Sequence, residues 1–341
     1  MSLPDHPRRE LGVWPTPLVR AKQLEARLGG GRLLVKRDDL SGFAMAGNKT
    51  RPLEYLLGAA IAEGCDTLVV GGVATSNFCA GAAVAAQAAG LRCHIVLPGG
   101  PPPPNAVNLR LARVCGAQVS FSGTPRAGLD ERIQDRAAEL RRAGLRAFAI
   151  PRGGANALGS LGFVRAATEL HEQLGARGYD QARVVLPVGS GGSLAGLLVG
   201  GDQQAARWTI TGVSVSRPLP ALTAHLHSIV DGCADLVGVA RRALTEVDLV
   251  VAPDGLHGAG TVASAGVASA ARLALETEGL ILDADYTARA FPVALALLQE
   301  PGPPVVFWHT GGVVKAIGDY ALADDSIAAN GIGGPAMDGV G

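Results

Sequence analysis

Short runs of β-branched and other apolar residues alternate along the chain with longer stretches rich in Ala and Leu. The runs are "DTLVVGG" (66–72), "RCHIVLPG" (92–99), "AQVSFS" (117–122), "RAFAIPRGG" (146–154), "ARVVLPVGSGG" (182–192), "TITGVSV" (209–215) and "PPVVFWHTGG" (303–312). Their apolar cores are near-continuous rather than alternating with polar residues, which predicts strands covered on both faces. The stretches between them, at 76–90, 105–116, 128–144, 160–176 and 193–202, predict helices, as does the segment after Lys49. This β-α-β alternation predicts an α/β fold of open, mostly parallel sheets flanked by helices. In such sheets a ligand sits beyond the carboxyl ends of the strands, which selects four loops: 71–78, 151–162, 188–193 and 308–313. No repeat of fixed period is present, so a solenoid or propeller is not expected. The proline run "PGGPPPPNAV" (98–107) predicts a rigid surface connection, with Asn105 opening the next helix.

Composition narrows the class of partner. The 341 residues carry 30 Lys plus Arg against 30 Asp plus Glu, so no global field attracts nucleic acid or an acidic membrane, and a small molecule is the expected partner. Forty-eight per cent apolar residues with 47 glycines suit a core wrapped by tight strand-to-helix turns. The five cysteines form no CxxC pair, which points away from a zinc site or a disulfide framework and toward a reducing setting. No run reaches 18 uninterrupted apolar residues and "MSLPDHPRRELGVW" lacks a signal-peptide core, so a soluble cytoplasmic protein is expected. The glycine-rich residues 331–341 are expected to fray and to carry no function.

Two segments carry chemistry. "PVGSGGSLAGLLVG" (187–200) places Gly189, Ser190, Gly191, Gly192 and Ser193 between an apolar strand and a helix, where converging backbone N–H groups and the helix dipole can hold a phosphate. It lacks the ending of a P-loop and the GxGxxG spacing, so nucleotides are poorly supported; a plain tight turn is the competing reading. "GFAMAGNKTRPLEYLL" (42–57) sets Lys49 behind an apolar wall at the entrance of a helix. A phosphate cradle with a sequestered lysine suits a phosphorylated carbonyl cofactor held as a Schiff base, and the amine needs a pKa lowered by burial to attack. The glycine before Asn48 is expected to let the backbone approach that cofactor.

In order along the chain, "KRDDLSGFAMAGNKTRPLEYLL", "SNFCAGAAVAAQAAGL", "PRGGANALGSLGFVRAATEL", "VVLPVGSGGSLAGL", "EGLILDADYTARAF" and "VVFWHTGG" resemble the landmarks of the aminocyclopropanecarboxylate deaminase and D-cysteine desulfhydrase family. These are fold-type-II pyridoxal phosphate enzymes related to the tryptophan synthase β-subunit, and the resemblance spans about residues 10 to 315. It implies pyridoxal 5'-phosphate bound to Lys49, a ring-hydroxyl contact from Asn77, a phosphate held by Gly189 to Ser193, and Ser76 beside the substrate carboxylate. It further implies a homodimer, a large domain from residues 1–51 and 166–330, and a small domain from 52–165 with the cofactor between them. Tyr286 would lie in the active site, with Thr287 approaching the pyridine nitrogen where ring-opening deaminases have glutamate. Thr310 stands where those deaminases have leucine. Both positions side with the desulfhydrase branch, in which Lys49 takes the Cα proton and HS⁻ leaves Cβ.

Departures cluster near the substrate. Thr75 replaces a family glutamine, Phe78 a polar residue and Ala80 an arginine, while His257 in "DGLHGAG" aligns with a substrate-contacting tyrosine or is a plain loop histidine. These keep open other small substrates, including the cyclopropane, β-chloro and β-hydroxy amino acids, and a cofactor-binding protein without turnover. Ser76 and Asn77 also read as helix N-caps, Cys79 as packing, Asp38 and Asp39 as a turn or ion pairs, and His309 as a support for the "HTGG" loop.

Overall fold

The computed structural model describes residues 6–101, 106–240, 244, 248–256 and 263–317. His257, Asn105 and the tail 331–341 lie outside the described residues. The strands are β1 (Leu18–Arg20), β2 (Leu33–Arg37), β3 (Thr67–Gly71), β4 (Arg92–Leu97), β5 (Gln118–Phe121), β6 (Ala147–Ala149), β7 (Gln181–Val188), β8 (Arg207–Ser214), β9 (Asp248–Val251) and β10 (Val305–His309). The helices are α1 (Lys22–Leu28), α2 (Thr50–Ala62), α3 (Asn77–Ala88), α4 (Val107–Val114), α5 (Leu129–Arg142), α6 (Ala157–Gly175), α7 (Gly192–Gln203), α8 (Leu219–Val237), α9 (Ala265–Glu278) and α10 (Thr287–Leu298).

Six strands form one sheet in the order β1-β2-β10-β7-β8-β9, and four form a second in the order β5-β4-β3-β6. Among the described residues only β1 pairs antiparallel, with β2; the other pairings in both sheets are parallel. All seven apolar runs became strands, and β1, β2 and β9 were added to the edges and flank of the larger sheet.

The continuous apolar character of these strands has a simple cause. In the larger sheet Leu34, Val184, Leu186, Val306 and Trp308 point into a core with α6, α7 and α8. Their neighbours Leu33, Val35, Val185, Val305 and Phe307 point the other way, into a core with α1, α9 and α10. Period-two geometry thus divides one apolar run between two covered faces. The smaller sheet is covered likewise, by α2, α3 and α4 on one face and by α5 on the other. Helix α2 serves both sheets: Tyr55 enters the large-sheet core, and Leu53, Leu56 and Leu57 enter the small-sheet core.

The start of α2 is pinned by a buried ion network. Arg51 donates Nε and Nη2 to the two Asp38 carboxylate oxygens at 2.8 Å each. It also donates to both Glu169 oxygens at 2.9 Å. Lys36 Nζ donates to Glu169 at 3.1 Å and to the Thr16 carbonyl at 2.7 Å, and Trp308 Nε1 donates to Asp38 at 2.8 Å. The acidic pair "DD" therefore splits between this network and a part-buried pair of Asp39 with Arg37. Among the described residues no helix is long and apolar enough to cross a membrane.

Candidate active site

All four loops selected by the strand-end rule meet at one cleft between the sheets, lined by Gly71 to Phe78 in part, Arg152, Gly153, Pro187 to Leu194 in part, Thr310 and Gly311. Asn48, Lys49, Arg126, Arg217, Asp283 and Tyr286 complete its wall. Lys49 closes a 3-10 turn (Gly47–Lys49) directly before α2. The Asn48 N–H donates to the Thr310 carbonyl at 2.8 Å, which fixes the lysine loop to the loop after β10. Gly47 has φ +60°, and a Cβ there would fall against the Thr310 carbonyl and Gly311. The glycine thus serves the approach of two backbone segments to each other. Burial lowers the Lys49 amine to about 8, with the Asp283 carboxylate opposing the shift.

The loop from β7 to α7 is kept bare by its neighbours. Gly191, the N-cap of α7, has φ +96°, a Cβ on Gly189 would stand 2.9 Å from the Tyr286 ring, and one on Gly192 would stand 3.1 Å from Ala155 Cα. Ser190 packs against Gly153, and Ser193 Oγ accepts from Asn48 Nδ2 at 3.1 Å. The first-turn N–H groups of α7 have no partner inside the helix, and the macrodipole favours an anion there. A loop whose glycines have no room for a Cβ against Tyr286, Leu226 and Ala155, in the same cleft as an amine with a depressed pKa, fits a phosphorylated carbonyl compound.

Ser76 is the N-cap of α3 and accepts from the Cys79 N–H at 3.2 Å, so capping and cleft-lining coexist in one residue. Asn77 lines the cleft, and its Oδ1 accepts from Asn108 Nδ2 at 2.8 Å; the same Asn108 amide donates to the Thr75 carbonyl at 2.7 Å. Asn108 on α4 thereby turns the Asn77 amide nitrogen away from itself and holds the loop in front of α3. Sequence reading missed Asn108, because nothing local to α4 signals contact with a residue 31 positions earlier. Thr75 is not among the cleft-lining residues; its backbone takes part in this brace. Phe78 contacts the cleft only as a wall, being 1% exposed and packed in the small-sheet core. Cys79 is buried, and burial pushes its thiol up to about 11 against an opposing bond from Ser76. It is packing, not a nucleophile.

Tyr286 lines the cleft over Gly189. Thr287 does not: it is 0% exposed, and its hydroxyl donates to Asp283 Oδ1 at 2.7 Å while accepting from the Asp283 N–H at 2.8 Å. Asp283 also accepts from the N–H groups of Asp285, Tyr286 and Thr287, which is a cap of α10. This segment therefore brings Asp283 and Tyr286 to the cleft, with Thr287 bonded to the Asp283 carboxylate behind it. A capping carboxylate and a buried threonine four residues on were both readable in "DADYT", yet which of them meets the cleft depends on how α10 is seated. Thr310 lines the cleft, and His309 Nδ1 accepts from the Gly311 N–H at 3.3 Å, supporting the glycine loop. The three arginines also escaped sequence reading; each lies in a separate connection, after β5, β6 and β8.

A family model described as "Pyridoxal-phosphate dependent enzyme" matches residues 9–311. A D-cysteine desulfhydrase of Klebsiella pneumoniae is 36% identical over 328 residues, covering 91% of this chain and 95% of that protein. A 1-aminocyclopropane-1-carboxylate deaminase of a Methylobacterium strain is 34% identical over 334 residues, covering 93% of this chain and 97% of the relative. A solved structure described as an ACC deaminase homologue superposes with a TM-score of 0.84 at 32% identity, covering 95% of this chain and 96% of its own.

Proposed function

The chain belongs to the pyridoxal-phosphate dependent enzyme family, within the group of 1-aminocyclopropane-1-carboxylate deaminases and D-cysteine desulfhydrases, and from that membership we propose that it eliminates a leaving group from Cβ of a small amino acid. D-cysteine is the substrate this reading names first, with pyruvate, ammonia and hydrogen sulfide as products. The observation that carries the reading is the pairing of a buried amine, Lys49 at about 8, with the bare glycine cradle across the same cleft.

Bound pyridoxal phosphate supplies an electron sink for the charge left at Cα when a proton is removed. Lys49 would hold the cofactor through its amine and would serve as the base for the Cα proton; an amine lowered to about 8 is matched to this task at neutral pH. Gly189 to Ser193 and the α7 N-terminus hold the phosphate. Asn77, oriented by Asn108, offers a donor to the ring hydroxyl, and the α3 N-terminus with Ser76 receives the substrate carboxylate. Tyr286 lines the cleft over Gly189, and Asp283 places a carboxylate near Lys49. Thr310 lies in the same wall, where a hydroxyl rather than leucine favours the desulfhydrase reading.

The deciding assay supplies D-cysteine, L-cysteine and 1-aminocyclopropane-1-carboxylate and measures keto acid and sulfide together. Sulfide with pyruvate from D-cysteine is expected. Keto acid from the cyclopropane substrate with no sulfide from D-cysteine would transfer the chain to the ring-opening branch, and a bound chromophore with no product from any substrate would make it a cofactor-binding protein. The same reading includes a homodimer in the cytoplasm; sedimentation of the holoenzyme tests the dimer.

A further inference from the structure

The cleft holds more positive charge than the proposed reaction uses. Arg126, Arg152 and Arg217 all line it, on three separate connections and each at the carboxyl end of a strand. Asp130 hydrogen-bonds one of them, accepting from Arg152 Nε at 2.8 Å and from its backbone N–H at 2.9 Å, while its charge also reaches Arg217 and Arg126 meets the Tyr286 hydroxyl. Arg152 Nη1 donates in turn to the Arg126 carbonyl at 2.9 Å, so the two loops are clamped together. Among the described residues neither Arg126 nor Arg217 forms an ion pair. Arg217 has its pKa lowered, by burial and then by the charge of Arg152, with Asp130 opposing. Half-buried like charges at close quarters are costly to hold unless an anion joins them.

The anions of the proposed reaction already have places. The cofactor phosphate has the glycine cradle and the α7 N-terminus, and the substrate carboxylate has the α3 N-terminus with Ser76; both are built from neutral donors. Guanidinium groups in a fixed fork match carboxylate, sulfonate or phosphate oxygens. Resting on the proposed elimination and narrowing its substrate, we infer that the side chain of the natural substrate ends in a second anionic group, received by Arg126, Arg152 and Arg217. Cysteine, as its thiolate, is the smallest member of this class. The arginines are binding residues that select the substrate and take no proton.

The test is made on the holoenzyme with amino acids that do not eliminate, so that it does not depend on turnover. Each enantiomer of 2-amino-3-phosphonopropionate and aspartate is titrated against neutral 2-aminobutyrate, following the bound chromophore and the heat of binding. The anionic ligands are expected to bind at least about tenfold more tightly at low salt, and the phosphonate and carboxylate arms identify which anion is preferred. Arg126→Gln and Arg217→Gln should each erase most of that ratio while leaving cofactor affinity unchanged, and Arg217→Lys should keep part of it. If either glutamine variant does not fold, the wild-type ratio decides by itself, because a preference carried by charge falls as salt rises. Equal binding of anionic and neutral ligands, a salt-independent ratio, or variants that lose cofactor affinity with the ratio intact would each overturn the inference. Absence of keto acid from every amino acid would instead count against the proposed elimination and leave these binding ratios readable.

Discussion

Replacing Arg51 with methionine tests what sets the position of Lys49. Arg51 is 2% exposed and follows Lys49 by two residues at the start of α2, and its guanidinium is the shared partner of Asp38, at 0% exposure, and Glu169. Methionine fills a similar volume but strips five donated bonds, four of 2.8 to 2.9 Å to the carboxylates and one of 3.2 Å to the Thr16 hydroxyl. Asp38 would keep the Thr16 hydroxyl and the Trp308 indole, both at 2.8 Å, and Glu169 would keep Lys36. Removing one partner of a buried ion pair costs about 3–5 kcal/mol, a large part of the roughly 5–15 kcal/mol that holds a native protein together. Urea unfolding followed by tryptophan fluorescence suits the measurement, because Trp14 stacks 4.0 Å from the Arg51 guanidinium and Trp308 bonds Asp38. Arg51→Met with Asp38→Asn should cost less than the sum of the single changes, since the double variant leaves no unpaired charge at Asp38. The acid limb gives an independent check. Burial opposes ionisation of Asp38 and Glu169, but Arg51 outweighs it and holds both below the usual carboxylate range. Their stabilisation is therefore present above the unfolded-state pKa and lost as pH falls through the lower folded-state values. The variant should show a shallower loss of stability in acid. A destabilisation under about 1 kcal/mol, with an unchanged acid slope, would refute the argument that this network anchors α2.

Lys49→Ala should abolish the visible band of the bound cofactor, and borohydride reduction of the wild-type protein should fix the pyridoxyl group on the peptide carrying Lys49. Because burial lowers this amine to about 8 from its ordinary 10.5, the rate of cofactor capture by apoprotein should rise with pH through a midpoint at about 8 and level off above it. Stability should likewise gain between those two values, since the folded state releases its proton first; a midpoint near 10.5 in stopped-flow absorbance would contradict the assigned burial. Gly47→Ala forces a side chain into a left-handed backbone (φ +60°) against the Thr310 carbonyl, and should cost about 2 kcal/mol or more in unfolding free energy and weaken cofactor retention. Asn108→Ala should reduce cofactor affinity by about tenfold through loss of the Asn77 brace, about 1.4 kcal/mol, with fluorescence titration as the readout; unchanged affinity would remove Asn108 from the site.

The sequence by itself determined the layered α/β plan and the two poles of the site, because both are written in local signals. Near-continuous apolar runs ask for cover on both faces, and "GSGG" between a strand and a helix asks for a bare turn, whatever lies around them. Lys49 was legible for the same reason, standing between glycine-rich residues and an apolar helix. Tertiary structure decided which side chains join these poles. Asp283 rather than Thr287 meets the cleft because α10 is capped by that carboxylate, and the threonine hydroxyl is spent on the cap. Gly47 serves the loop after β10, some 260 residues on, a partner that no spacing near Lys49 discloses. Asn108 on α4 and the three arginines on their connections carry no local pattern that marks them for the site. Their roles arise only where the carboxyl ends of two separate parallel sheets are brought to one opening, since a side chain's charge is a local property but the company it keeps is set by the whole fold.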